Sequence, residues 1–218
     1  MSRKIAVGLF VILLASAFLL AAAQDTSSWK HYRNSEYGLE IAYPTHWQFI
    51  AGDADKIDKP PADGRHPAHA GETRGLFGLE IDGPTQSPDG GGSFDDGAIV
   101  TVSISGASGV IEDWNMKPDS SWYLRQSTPS DWVKRLTSIG AGDGLKKVPV
   151  DTNEFKGEIA VVCIGKNPCK IFEEIGGAYR TLPSGRVLFV SWDREAGGND
   201  FSFQKYLLPM LSSFKMLK

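Results

Sequence analysis

The sequence has no cluster of basic residues, no internal repeat and no long apolar run beyond Ala23. Its formal charge is −3 over 218 residues. A mildly acidic chain without clustered Lys and Arg cannot neutralise a phosphate backbone, which argues against nucleic acid as the partner. After Ala23, no stretch is long and apolar enough to predict a membrane span.

The one long apolar run ends in three alanines at Ala23 and follows two positive charges, Arg3 and Lys4. A charged start, an apolar middle and small residues at the end predict a signal peptide over 1–23 and a periplasmic or extracellular protein. The run is also long enough to cross a bilayer, so an uncleaved N-terminal membrane anchor is the alternative. The remaining residues, 24–218, are expected to form one domain, because that length buries a sizeable core.

Cysteine is scarce, since only Cys163 and Cys169 are present. The spacing is not the C-x-x-C of redox dithiols, and the neighbourhood offers no further ligands for zinc. Export to an oxidising compartment and an even count predict a structural disulfide, with the two thiols opposite each other across a hairpin turn. Such a bond should stabilise the fold by about 2 kcal/mol on the chain-entropy model. A redox dithiol is the alternative.

Familiar catalytic motifs are also missing. The sequence contains neither a G-x-S-x-G nucleophile elbow nor a G-x-x-x-x-G-K-[ST] phosphate loop. The stretch "GDADKIDK" fails as an EF-hand, because Ile57 and Asp58 occupy the positions of an acid or Asn and of Gly. We therefore expect no enzymatic activity and no cofactor.

Two segments rich in Asp, Gly, Pro and His, 51–73 and 83–97, are predicted to be long loops. Imidazole binds first-row metals well, and carboxylates nearby could complete a site, so the first loop is a candidate site for a divalent metal. The candidate ligands are His66, His69, Asp63 and Glu72. The alternative function is thus a secreted metal-binding protein or hydrolase that uses the 51–97 loops; an ordinary solvated loop is the competing interpretation.

Period-two alternation of apolar residues predicts antiparallel strands joined by short turns. The predicted strands are 37–43, 75–82, 98–105, 155–165, 169–182 and 186–192. Ser130 and Gly140 bound a predicted amphipathic helix, and a second helix near the C-terminus should kink or end near Leu208, because Pro209 removes a hydrogen bond. This order predicts an α+β fold in which a central antiparallel sheet is packed between helices.

Tryptophan is frequent, with six copies. Trp47, Trp132 and Trp192 lie on patterned elements and are predicted to be core residues. Trp114 and Trp122 lie in a segment that is irregular in sequence, and aromatic side chains often anchor interfaces. They are candidates for an exposed binding surface; the alternative is that they pin their own loop in place.

Two stretches resemble the PsbP/Mog1-like superfamily: "YRNSEYGLEIAYPTHWQF" near the start of 24–218 and "FQKYLLPMLSSFKM" at the end. The first is similar to the aromatic–Gly–apolar strand followed by Tyr-Pro and Trp, and the second to the terminal helix of that family. The resemblance implies an α/β/α sandwich. It also implies a non-enzymatic exported module that docks to another protein or to an envelope component. No family functional residue matches position by position.

Overall fold

The computed structural model describes residues 26–51, 72–81, 98–117, 119, 121–138, 146–164, 171–197 and 202–218. The strands are β1 (Lys30–Asn34), β2 (Leu39–Tyr43), β3 (Gln48–Ala51), β4 (Arg74–Ile81), β5 (Ala98–Ile104), β6 (Ile111–Met116), β7 (Trp122–Ser127), β8 (Lys146–Thr152), β9 (Phe155–Ile164), β10 (Ile171–Thr181), β11 (Val187–Gly197) and β12 (Lys215–Met216). The helices are α1 (Pro129–Leu136) and α2 (Leu208–Ser212), and a π-helical turn, Phe203–Leu207, leads into α2.

A seven-stranded antiparallel sheet dominates the molecule, in the order β3-β4-β5-β11-β10-β9-β8. Strand β11 is in the middle, and its nearly continuous apolar sequence suits a strand that is covered on both faces. A second sheet has the order β1-β2-β12, and β6 and β7 form a separate hairpin. All ladders between these strands are antiparallel.

The predicted fold class, a central sheet packed between helices as an α/β/α sandwich, is wrong. The described part of the chain is mostly strand, with only two short helices. Sequence patterning missed β1, β3, β6, β7, β8 and β12. Several of these are edge strands with mixed polar faces, so their own sequences show little alternation, and pairing with a neighbouring strand determines their conformation.

One hydrophobic core connects the seven-stranded sheet, β2 and the C-terminal helical segment. Trp47 is buried in this core, with its ring centroid 5.2 Å from Tyr206 and 6.1 Å from Trp192. The backbone N–H of Trp47 donates to the carbonyl of Pro44, which closes the turn after β2. The Tyr-Pro-x-x-Trp stretch is therefore a structural corner, and His46 lies exposed beside it.

Pro209 lies where the π-helical turn becomes α2. The N–H of Leu208 donates to the carbonyl of Phe203, five residues back. The wider turn places Pro209 in the first turn of α2, where its missing N–H needs no intrahelical partner. The helix thus changes its hydrogen-bonding pattern near Leu208 and continues, with the buried residues Phe203, Leu207, Met210 and Leu211 on its inner face.

Helix α1 packs on the seven-stranded sheet and begins two residues earlier than its sequence suggested. Thr128, not Ser130, is the cap, and its hydroxyl accepts from the N–H of Asp131. The ring of Trp132 covers Gly177 on β10, in a second core with Ile111, Val133, Val187 and Phe189. Among the helices that the structure describes, none is both long and apolar enough to cross a membrane.

Candidate functional site

A cleft of about 370 Å³ opens where four chain segments meet. These segments are the turn between β1 and β2, the start of β4, the loop between β5 and β6, and the residue that precedes β11. The lining residues are Glu36, Tyr37, Glu72, Arg74, Ala107 and Arg186. We refer to this cavity as the Arg186 cleft.

Arg186 is held in place by the chain around Ser105. The buried Ser105 accepts from the N–H of Val187 through Oγ (2.8 Å), and its own N–H donates to the Val187 carbonyl (2.9 Å). Nη1 of Arg186 donates to the Ser105 carbonyl at 2.9 Å. These bonds fix a half-buried guanidinium at the cleft wall before any ligand arrives.

Among the described residues, no carboxylate forms an ion pair with Arg186. Its guanidinium lies over the ring of Tyr37, with 5.7 Å from the guanidinium carbon to the ring centroid. A guanidinium has five N–H donors in a planar fork, and only one is used by the bond to Ser105. Arg186 therefore has donors left for an acidic group.

Tyr37 forms the floor beneath this guanidinium. Burial raises the pKa of its phenol, and the charge and hydrogen bond of Glu36 raise that pKa further, against smaller lowering effects of Arg186 and Arg74. The phenol is therefore neutral at physiological pH and retains its proton as a hydrogen-bond donor.

Glu72 also lines the cleft and packs closely against Gly106. A Cβ at position 106 would lie 2.1 Å from Oε2 of Glu72, so only glycine allows this contact. The N–H of Glu72 donates to Oε2 of Glu112 (2.6 Å), and the N–H of Glu112 donates to Oγ1 of Thr73 (3.0 Å). These bonds tie the start of β4 to β6.

The cleft is suited to binding a charged ligand. Among the described residues, its lining combines two guanidinium groups, two carboxylates and a phenol. A planar guanidinium matches a carboxylate in geometry and charge, whereas the two glutamates disfavour a ligand that is anionic throughout. An acidic group next to a neutral or basic one fits this arrangement.

Little in the sequence indicated this cleft. Tyr37 and Arg186 each lie next to a glycine with positive φ, Gly38 (62°) and Gly185 (81°), which the chain uses to make its turns. A polar residue beside a turn glycine is common in sequences, so this signal alone could not have selected them. Only the sheet order brings the two turns together.

Of the predicted metal ligands, Glu72 alone lies in the described part of the chain, exposed at the cleft. His66, His69 and Asp63 lie outside the described residues. Within the described ranges, no three or more His, Cys, Asp and Glu side chains group in a way that could hold a metal ion. The metal site in the first loop stays a prediction.

Trp114 and Trp122 lie on β6 and β7, so the prediction that their segment is irregular is wrong. In the hairpin register, Trp114 is opposite Leu124 and Trp122 is opposite Met116. The two indole side chains are outside the described part of the structure. Their assignment to a binding surface stays a prediction.

Cys163 lies near the end of β9, half-buried, and Phe172 on β10 is directly opposite it. The described residues include no free cysteine. Cys169 lies outside the described residues, so its bond to Cys163 stays a prediction. The prediction that the two thiols lie opposite each other is wrong, because Phe172 occupies the position paired with Cys163.

The fold and the cleft together define a predominantly β protein with a preformed polar cleft. Comparison with protein-family models and with curated proteins gives no match for this chain. The resemblance to the PsbP/Mog1-like superfamily therefore stays a prediction.

Proposed function

We propose that this protein is a non-enzymatic, exported binding or accessory module that docks to another protein or envelope component through the Arg186 cleft. One observation carries the proposal. Arg186 is half-buried and oriented by Ser105 and Tyr37, and no carboxylate among the described residues pairs with it. We infer that an acidic group of the partner completes this ion pair.

The geometry favours affinity at low entropic cost. A long side chain that is immobilised on binding loses about 0.5–1.5 kcal/mol, and Arg186 is already held by the Ser105 carbonyl and the Tyr37 ring. Arginine is enriched among residues that dominate interface energies. A partner carboxylate would accept from the free edge of the guanidinium, while Tyr37 supports its face.

The alternative, a metal-binding protein or hydrolase that uses the 51–97 loops, rests on residues outside the described ranges, apart from Glu72. Glu72 packs on Gly106 and borders the same cleft. It serves the docking proposal equally well, because its charge limits which acidic groups can enter.

A photo-crosslinking residue at Ala107 should capture the partner in the native envelope. Ala107 is exposed and lines the cleft, so a probe there reaches a bound chain. We expect one discrete crosslinked species, whose yield falls at least about tenfold in R186Q, since loss of an interface-dominating arginine costs about 2 kcal/mol or more. The yield with R186K should lie between these two values, because lysine keeps the charge but lacks the planar, forked donors of the guanidinium.

The matched control places the same probe at Lys134 on α1, where the side chain is 71% exposed. A probe at Lys134 should not give the crosslinked species that is seen from Ala107. Circular dichroism of R186Q confirms that the fold is retained. Capture from both positions, or capture that is unchanged in R186Q, would show that the cleft is not the docking site.

A further inference from the structure

Strands β3 and β8 form the two edges of the seven-stranded sheet. An edge strand presents unpaired N–H and C=O groups, and proteins protect such edges with charges, proline or short length. Strand β8 follows this rule: Lys146 and Lys147 are exposed along it, and Pro149 cannot donate to an added strand. Its edge is closed to further pairing.

The other described edges are protected in the same ways. Strand β1 has exposed Lys30 and Arg33, and β12 is only two residues long. In the β6–β7 hairpin, charged side chains occur on both strands, among them Glu112, Asp113 and Arg125.

Strand β3 (Gln48–Ala51) differs from these edges, because its sequence, QFIA, contains neither a charge nor a proline. Both faces of the strand present apolar side chains to solvent. Phe49 is 38% exposed and Ile50 is 45% exposed. No strand among the described residues pairs with its outer edge.

On the inner face, Phe49 rests on a cluster of three aromatic rings. Its ring centroid lies 5.5 Å from Phe77, 5.5 Å from Tyr43 and 6.0 Å from Tyr32. These contacts hold the aromatic ring at the sheet edge, where an incoming side chain can pack against it.

On the outer face, Ile50 is opposite Gly78 of β4. Glycine has no side chain to cover its neighbour, and a Cβ built at Gly78 would lie 3.6 Å from Cβ of Ile50. Ile50 therefore projects freely at the edge. Further along the same sheet, Ile99 is 52% exposed.

We propose that the outer edge of β3 pairs with an extended segment of a partner protein, by addition of a strand to the seven-stranded sheet. Main-chain hydrogen bonds would provide the affinity, and side chains on alternate faces the specificity. The segment should be uncharged at its centre and apolar on both faces, because Phe49 and Ile50 flank the edge on its two sides.

A second copy of this chain is a poorer occupant. The exposed parts of Phe49, Ile50 and Ile99 sum to roughly 300 Å², if each side chain has about 200 Å² to bury. A stable interface needs about 800 Å² from each partner. An extended segment depends mainly on its main chain and needs less apolar area. The proposal does not depend on the Arg186 cleft.

The test titrates the protein with a set of short, blocked peptides in which a central Thr is flanked on each side by two residues from Val, Ile and Phe, between terminal lysines, so that both faces of the extended peptide are apolar. Two-dimensional amide NMR follows the binding. We expect shifts confined to β3 and β4, with saturable binding by at least one peptide. Replacing the central Thr by Pro in that peptide should abolish binding, because proline removes a ladder donor.

Ile50→Lys should weaken binding of the peptide at least about tenfold, because the substitution adds a charge of the kind that the other edges carry. Ile99→Lys is the matched control, because Ile99 is apolar and exposed like Ile50 but lies two strands from the edge. This substitution should change peptide binding less than about twofold.

Any of four outcomes would overturn the proposal. The first three are that no peptide of the set binds, that the proline peptide binds equally well, and that both lysine variants weaken binding alike. The fourth is slow hydrogen exchange, in the free protein, of the β3 amides that do not bond β4. A concentration-dependent dimer that Ile50→Lys abolishes would assign the edge to a second copy instead.

Discussion

Glu174 is a carboxylate buried inside the core, only 1% exposed. It accepts three hydrogen bonds, from Nε1 of Trp192 (3.0 Å), the N–H of Ser202 (2.8 Å) and the N–H of Phe203 (3.0 Å). The last two donors lie at the start of the C-terminal helical segment, where N–H groups have no intrahelical partner. A single side chain thus joins β10, β11 and that segment.

The buried position of Glu174 makes the fold sensitive to pH. Burial raises the pKa of this carboxyl, against smaller lowering effects of its hydrogen bonds and of Arg194. Its contribution to stability is therefore complete below the ordinary carboxyl pKa near 4.5 and is lost as the pH rises through the raised folded pKa. The loss can reach about 1.4 kcal/mol per pH unit in that window.

Urea unfolding of the wild type and of Glu174→Gln across this pH range checks the prediction. The free energy of unfolding of the wild type minus that of Glu174→Gln should fall as the pH rises, because only the wild type loses stability by ionising this site. A difference independent of pH would contradict a raised pKa at Glu174.

Glu40 provides the matched comparison, because its pKa is shifted the other way. Burial alone would raise it, but hydrogen bonds from Arg33 (2.5 Å) and His31 (2.9 Å), together with their charges, lower it overall. Stability from Glu40 is present above the unfolded pKa and lost as the pH falls through the folded one. Glu40→Gln should thus differ from the wild type most near neutral pH and least in acid.

At the scale of the element, helix α1 depends on close contact with the sheet. A Cβ at Gly177 would lie 2.6 Å from two ring carbons of Trp132 and 2.9 Å from the Val190 carbonyl. The indole ring therefore requires a glycine beneath it. Trp132 also packs edge-on against Phe189, with centroids 5.0 Å apart.

Gly177→Ala should lower the free energy of unfolding by about 1–3 kcal/mol, because the added methyl group displaces Trp132 from the sheet. Thermal unfolding, followed by tryptophan fluorescence, measures the effect. Gly75→Ala is the control, since a Cβ at Gly75 meets nothing within 4 Å. Equal effects of the two substitutions would show that packing under α1 is not responsible.

The elements differ in how far their own sequences reveal them. Strand β5 (Ala98–Ile104) alternates between buried and exposed positions over most of its length, so its pattern was sufficient. Strand β8 (KKVPVDT) has only two apolar β-branched residues, Val148 and Val150, on either side of Pro149, so its alternating pattern is too short to predict a strand. Strand β2 was recognised, yet all five of its residues are buried. Neighbouring side chains cover its second face, including Arg33 and His31 over Glu40.

At the scale of the whole molecule, export and the disulfide are still predictions of the sequence. We expect the mature protein to begin at Gln24 and to contain no reactive thiol, because an oxidising compartment favours a Cys163–Cys169 bond. Intact-mass measurement after alkylation under denaturing, non-reducing conditions tests both. A mass that includes 1–23 would indicate a retained membrane anchor, and two alkyl groups would exclude the disulfide.

The sequence by itself determined the antiparallel pairing, the central position of β11 and the core positions of Trp47, Trp132 and Trp192. These follow from turn length and apolar periodicity, which are local properties of the chain. It did not determine the fold class, because weakly patterned edge strands become strands only when a neighbour supplies hydrogen bonds.

The tertiary structure alone decided where the candidate sites are. Tyr37 and Arg186 are far apart in sequence, and only the arrangement of the sheets brings their turns to one cleft. The unprotected edge of β3 likewise has no sequence signature, because QFIA is an edge only once the strand order is known. Local patterns record which side chains are buried, whereas contacts between distant segments determine which polar groups and strand edges remain available for binding.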